Sequence, residues 1–236
     1  TLTADYAFGH DLLSAAKAFL DANGGIVTGE DLVPTDATDF SSYLLKIRQA
    51  EPDVVALNLA GTQITNFFKQ YSEFGLDFTV GGFGFDTVAA WAAGAQNFRG
   101  TWPNVWNHLV PNDASQAFVK TFTDEYGKPP ENQAWGDYNA GLIMAKAVTE
   151  AGDASGDALV AYLESPEAQF DLMKNRKGYF RPTDHQLIQE IYAITALPAS
   201  EVQNEYDIFT TSDPLPGADE PLEALAQSVT GGTCSF

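Results

Sequence analysis

Along residues 1–110 the apolar positions switch repeatedly between helical spacing and short unbroken runs, the rhythm of an α/β chain with parallel strands. Thr1–Thr3 read as the end of a strand, and Ala4-Asp5-Tyr6-Ala7-Phe8-Gly9 as the turn that leaves it. Leu12, Leu13, Ala16, Phe19 and Leu20 then share one helical face, which Asn23-Gly24-Gly25 closes with residues that tolerate a left-handed backbone. A strand over Ile26–Val33 leads to a second helix near Phe40–Gln49, with Phe40, Leu44, Leu45 and Ile47 on its inner face and Pro52-Asp53 at its exit. Val54-Val55-Ala56-Leu57-Asn58-Leu59 is the apolar run of a strand covered on both faces. Ala60-Gly61-Thr62-Gln63 turns the chain into a helix that runs to about Phe74 and is capped by Gly75. Phe78–Gly82 form the next strand, and Phe83-Gly84-Phe85-Asp86 lead into a helix over Thr87–Ala93.

The later part of the chain changes character. Arg99–Val110 carries a fourth strand signal, after which Asn112-Asp113 cap a helix over Ala114–Tyr126 that Gly127-Lys128-Pro129-Pro130 stops. A helix over residues 133–151 spaces Trp135, Tyr138, Leu142, Ala145 and Val148 for burial, and a shorter one follows near Asp157–Glu164. Residues 179–186 read as a strand and turn, and Ile188–Leu197 as a closing strand. Beyond Pro198 the large apolar residues thin out, which predicts an extended or loosely packed tail. The expected organisation is one α/β lobe from residues 1–110 and 188–197, a mainly helical partial lobe from 111–187, a crossover near 107–112, and a tail over 198–236. The fold class is an open parallel sheet with helices on both faces. Its three strand-to-helix turns, at Tyr6, Gly61 and Phe83, are expected along the carboxyl edge, where ligands bind such sheets.

Composition removes several functions. The 32 acidic against 12 basic residues give a formal charge of −20, and no cluster of Lys and Arg exists to neutralise phosphates, so nucleic acid is not a partner. No apolar run approaches the ~20 residues of a membrane span, so direct insertion is not expected. The single cysteine, Cys234, permits neither an internal disulfide nor a Cys-rich zinc cage; it is either an unpaired thiol or a thiol whose partner lies elsewhere. His10, His108 and His185 share no metal spacing. Ser14, Ser41 and Ser42 lack the Gly-x-Ser-x-Gly elbow, and Gly81-Gly82-Phe83-Gly84 lacks the spacing and the Lys-Ser/Thr ending of a phosphate loop. No catalytic residue, metal or cofactor is therefore assigned.

The order of segments resembles the type I periplasmic binding proteins of the branched-chain amino acid, amide and urea transport group. The resemblance rests on Ala4-Asp5-Tyr6-Ala7-Phe8-Gly9, the Asp39-Phe40-Ser41 helix start, Glu51-Pro52-Asp53-Val54-Val55 and Phe74-Gly75-Leu76. It continues through Ala134-Trp135-Gly136-Asp137-Tyr138-Asn139-Ala140 and Arg181-Pro182-Thr183-Asp184-His185-Gln186, and so spans roughly residues 1–197. It implies that the chain starts inside the first strand of the family's second lobe and that a further segment, on the order of a lobe in size, precedes it.

Carried over position by position, the resemblance implies a ligand site in the three turns. Tyr6 and Phe8 stand where an aromatic side chain covers the ligand, and Gly61, Thr62 and Gln63 at a helix start suited to an anionic or carbonyl group. Phe83, Gly84, Phe85 and Asp86 form the turn where amino-acid binders place an acid against an ammonium; here Gly84 holds that position and Asp86 follows two residues later. The phenylalanines instead imply flat apolar walls for an aromatic or branched apolar ligand. Each residue has a plainer reading: Phe83 and Phe85 as core, Asp86 as the N-cap of the helix that follows, Gly61-Thr62 as a turn and cap, Trp102 and Trp106 as packing rather than cleft border. The function implied is an extracytoplasmic receptor in a Gram-negative periplasm, which captures a small organic solute by lobe closure and delivers it to the membrane permease of an ABC importer. A ligand-sensing ectodomain or regulator on the same fold is the alternative.

Overall fold

A computed structural model describes residues 1–83 and 85–226. In chain order the elements are β1 (Leu2–Ala4), α1 (Ala7–Ala22), β2 (Asp31–Val33), α2 (Ser41–Ala50), β3 (Val55–Asn58), α3 (Thr62–Glu73), β4 (Val80–Gly82), α4 (Thr87–Ala93) and β5 (Thr101–Asn104). They continue with α5 (Asp113–Tyr126), α6 (Asn132–Ala151), α7 (Gly156–Leu163), β6 (Tyr179–Arg181), β7 (Gln186–Ile188), β8 (Tyr192–Ala196) and β9 (Phe209–Thr211). Two compact units result: Thr1–Asn104 with Ala193–Thr211, and Val105–Tyr192 with the residues from Ser212 onward.

The first unit is built on a seven-stranded sheet of order β2-β1-β3-β4-β5-β8-β9. β1 to β5 pair in parallel wherever they are neighbours, and β8 and β9 close the sheet as an antiparallel pair. Right-handed crossovers put α1 on one face and α2, α3 and α4 on the other. The second group is stitched together by hydrogen bonds from Phe40 N–H to Gln70 Oε1 (2.7 Å) and from Thr65 Oγ1 to the Ala89 carbonyl (3.1 Å). Beneath those helices Phe40, Phe67, Phe68, Phe98 and Trp102 make a chain of edge-on and stacked rings, all fully buried or nearly so.

Strands are shorter than the apolar runs that announce them. Ile26–Val33 yields only Asp31–Val33, because β2 is an edge strand whose sole neighbour, β1, is three residues long; Ile26 is 82% exposed. The run Arg99–Val110 pairs only over Thr101–Asn104, since Trp106 and Val110 leave the sheet for the core of the second unit. Residues 188–197 divide into the end of β7 and the whole of β8, with the buried Glu190 between them. The loose tail expected past Pro198 is corrected at β9: Ile208 and Phe209 are each 1% exposed and are enough to anchor a strand to β8.

The second unit contains α5, α6, α7 and the β6–β7 hairpin around Trp106, Trp135, Ile143, Phe170, Leu172 and Tyr192. Trp106 and Trp135 stack with ring centres 5.9 Å apart and planes 6° from parallel. α6 is turned relative to its predicted inward face. Trp135, Asn139, Ile143 and Ala147 are buried, whereas Tyr138, Leu142 and Val148 are exposed. Asn139 can sit inside because its amide donates to the Trp135 carbonyl one turn earlier, at 2.8 Å.

Candidate functional site

β1, β3 and β4 are consecutive, parallel neighbours, so the turns that leave their carboxyl ends share one rim of the first unit's sheet. The strand order also reverses there: from β1 the chain goes outward to β2, and then returns past β1 to β3. In open α/β sheets that reversal separates the helices that follow the two strands and opens a crevice at their carboxyl ends.

The first turn is held tightly at its base. Asp5 N–H donates to the Val33 carbonyl (2.8 Å), and the Asp5 carboxylate meets His10 Nε2 at 2.9 Å. α1 approaches β1 closely at Gly9, where a Cβ would lie 2.0 Å from the Ala4 carbonyl oxygen. The turn is shorter than the expected Ala4–Gly9, because α1 already begins at Ala7: Tyr6 is its N-cap and Phe8 lies in its first turn, 41% and 43% exposed, with ring centres 5.9 Å apart and planes 29° from parallel. Together they form a partly exposed aromatic surface.

The second turn depends on Gly61, whose φ of 51° and ψ of −127° suit glycine and not a residue with a Cβ. Gly61 precedes α3, and Thr62 is its first residue, with a backbone N–H that has no acceptor within the helix. Gln63 departs from the expected ligand contact. Its side chain is buried, and its Nε2 donates to the Pro34 carbonyl at 2.8 Å, so it ties this turn to the one after β2. No acidic residue occupies the first turn of α1 or α3 and no side chain caps either helix, which leaves the positive ends of these two helices uncompensated in a chain of net charge −20.

At the third turn Phe83 and Phe85 part company. Phe83 is 42% exposed, but Phe85 packs on Phe98, Trp102 and Phe209 at 5.8, 6.4 and 6.0 Å and serves as core wall. Asp86 caps α4 by accepting the Ala89 N–H at 3.0 Å. Gly84 and Cys234 lie outside the described residues. Trp102 and Trp106 are packing residues in the two separate cores, with indole N–H groups bound to the Arg99 carbonyl and Ser115 Oγ, each at 2.9 Å.

Asn58 and Lys174 are among the buried polar groups that the sequence does not announce as such. Asn58, the one polar residue in the run Val54–Leu59, donates from Nδ2 to Thr3 Oγ1 (3.1 Å) at the β1–β3 seam, and its Oδ1 has no partner among the described residues. Its place as a lone amide in an apolar strand was the available signal. Lys174 lies 5% exposed in the second unit, and nothing in its local sequence sets it apart from a surface lysine. Among the described residues no group of three or more His, Cys, Asp or Glu is arranged to hold a metal, and no helix is long and apolar enough to cross a membrane.

An open parallel sheet with helices on both faces, in this strand order and with a second, mainly helical unit, defines the type I periplasmic binding fold. Residues 1–200 match the family described as periplasmic binding protein, and the chain belongs to that family. Solved structures agree. A periplasmic binding protein from Burkholderia mallei superimposes with a TM-score of 0.82 at 28% identity, covering 92% of this chain and 57% of the other. A branched-chain amino acid ABC transporter periplasmic ligand-binding protein from Burkholderia xenovorans does so with a TM-score of 0.75 at 28% identity, covering 90% and 57%. A solute-binding protein of an ABC transporter from Rhodopseudomonas palustris, solved in complex with 3,4-dihydroxybenzoic acid, gives 0.74 at 25% identity, covering 90% and 58%. The chain therefore spans under two thirds of the length of these relatives. No curated protein sequence matches it.

Proposed function

We propose that this chain is the solute-capturing part of an extracytoplasmic receptor that serves an ABC importer, with the rim at Tyr6, Phe8, Gly61, Thr62 and Phe83 as its contribution to the ligand site. The observation that carries this reading is the gathering of three strand–helix turns at the point where strand order reverses, with an exposed aromatic pair on one of them. A ligand that bridges this rim and an opposing lobe stabilises a closed state by its differential affinity, and a membrane permease reads that state. Family membership supports a small-molecule ligand, a permease partner and an extracytoplasmic site of action, the periplasm in a Gram-negative cell.

Within this reading the ligand is an aromatic or branched apolar acid. Tyr6, Phe8 and Phe83 offer flat apolar surface, and uncompensated helix starts favour a carboxylate. The rim's carboxylates are already engaged: Asp5 with His10 and Asp86 with the Ala89 N–H, which counts against an ammonium contact from this side. The Rhodopseudomonas relative, solved with a dihydroxybenzoate, fits the same preference.

The test is mass spectrometry of small molecules released by denaturing the protein made from its complete coding sequence, followed by calorimetry with what is found. An aromatic or branched apolar acid is expected, with Tyr6→Ala weakening its affinity roughly tenfold. Retention of a polyol, or affinity untouched by Tyr6→Ala and Phe8→Ala together, overturns the assignment.

A further inference from the structure

The chain passes between the two units three times, at 104/105, 192/193 and 211/212. Within the second unit, one short loop touches the segment that leads to or from each passage. After the first, Asn112 Nδ2 donates to the Lys174 carbonyl at 3.2 Å. Before the second, Lys174 Nζ donates to Gln189 Oε1 (2.7 Å) and to the Glu190 carbonyl (2.6 Å). The Glu190 carboxylate accepts from Arg176 Nε (2.9 Å) and from the backbone N–H groups of Asn175 (3.0 Å) and Arg176 (3.2 Å). After the third, Arg176 Nη1 donates to the Glu220 carbonyl (2.7 Å) and Nη2 to the Pro216 carbonyl. Beside this hub Ile191 and Leu215 exchange two backbone hydrogen bonds of 2.8 Å.

We propose that Lys174, Arg176 and Glu190 form a proton-sensitive latch that fastens the three connecting segments to one another. The cluster holds two cations and one carboxylate. Glu190 is matched by Arg176, which leaves the ammonium of Lys174 with neutral oxygens and the faces of Trp135 (4.6 Å) and Tyr192 (5.9 Å). A residue 5% exposed and without a carboxylate of its own is where a proton is most easily lost. Burial lowers the Lys174 pKa to about 7, against an opposing pull from Glu190. The groups around it are otherwise silent near neutrality: Trp135 on α6 and Asn112 carry no charge, and burial pushes the Tyr192 phenol up, away from neutral pH.

Opening the latch exposes Lys174 to water and restores its ordinary affinity for a proton. The open form therefore binds more protons than the closed form at any pH between about 7 and 10.5, and closure strengthens as pH rises across that window. Acid loosens the latch and base tightens it. Its bearing on solute capture rests on the function proposed above, because only a receptor that closes has use for a latch on its connecting segments.

Native-state hydrogen exchange of the Ile191 and Leu215 amides, corrected for the intrinsic rate, tests the latch without any ligand. Between pH 7 and 8.5 the opening constant is expected to fall by up to about tenfold per pH unit, and Lys174→Met to abolish that slope. Gln189→Ala removes one acceptor, keeps the lysine, and is expected to raise opening about tenfold with the slope retained. A wild-type opening constant flat with pH, a slope that survives in Lys174→Met, or unchanged opening in Gln189→Ala each overturns the proposal. Solute affinity of the protein from its complete coding sequence, measured over the same pH range, is a separate readout: absence of any solute binding removes the receptor reading, while the exchange data still judge the latch.

Discussion

Asp86 sits at a position where a helix cap and a ligand contact make the same demand on a sequence, an acidic side chain just ahead of Thr87. Its 3.0 Å bond to the Ala89 N–H gives the carboxylate one firm task. Asparagine caps a helix as well as aspartate, so Asp86→Asn is expected to leave stability within a few tenths of a kcal/mol, whereas Asp86→Ala costs about 1 kcal/mol. Denaturant titration separates the two. Affinity for an acidic solute should survive in Asp86→Asn; a large loss there would return Asp86 to the ligand site. This cap was legible, because short polar side chains ahead of a helix act locally. Gln63 was not: whether its amide faces a ligand or reaches Pro34, 29 positions earlier, is settled by how two loops fold beside each other. Lys174 was hidden for the same reason, since its burial depends on α6 and on the turn between β7 and β8. Phe83 and Phe85 are alike in sequence and two residues apart, yet only Phe85 meets Phe209 from the far end of the chain.

At the scale of elements, the close approach of α1 to β1 sets where the aromatic pair stands. A methyl group at Gly9 would meet the Ala4 carbonyl oxygen at 2.0 Å, and that atom is backbone and cannot rotate aside. Gly9→Ala is expected to push α1 off the sheet, lower stability by about 1–3 kcal/mol in chemical denaturation, and weaken solute binding along with it. Gly136→Ala on α6, where no atom lies within 4 Å of the added carbon, is the matched control and should cost nothing. Helices were read well because their period persists over many residues: α4 was placed residue for residue, and the starts of α5 and α6 fall within one residue of expectation. Strands were read too long, since pairing stops where the neighbour stops, as at β2, and an apolar run does not reveal its neighbour's length. The phase of α6 went astray because apolar residues lie on both of its sides, and the choice fell to packing around Trp106. β9 was missed because two apolar residues do not make a period.

At the scale of the whole molecule, a formal charge of −20 spread over 236 residues makes self-repulsion a term in stability. Salt shortens its reach, from a Debye length of about 10 Å at 0.1 M to about 3 Å at 1 M. The midpoint of thermal unfolding is therefore expected to rise by several degrees over that interval in sodium chloride, and a midpoint that falls would show that specific ion pairs outweigh the repulsion. Those pairs are mostly exposed, such as Lys17–Glu30 and Lys120–Asp124, and contribute little singly.

The first unit's sheet takes its last two strands from residues 192–211, after the chain has already built most of the second unit. During synthesis residues 1–104 thus emerge with the β5 edge of their sheet unpaired, and Phe85 waits for Phe209 until more than a hundred further residues have left the ribosome. Stopping the chain after Asn104 would yield a sheet with a raw edge and an aromatic surface open to water, a species prone to clump and not a miniature of the first unit. Neither unit can be obtained as one uninterrupted stretch of polypeptide, and the slow, long-range return of β8 and β9 is where quality control would find its substrate.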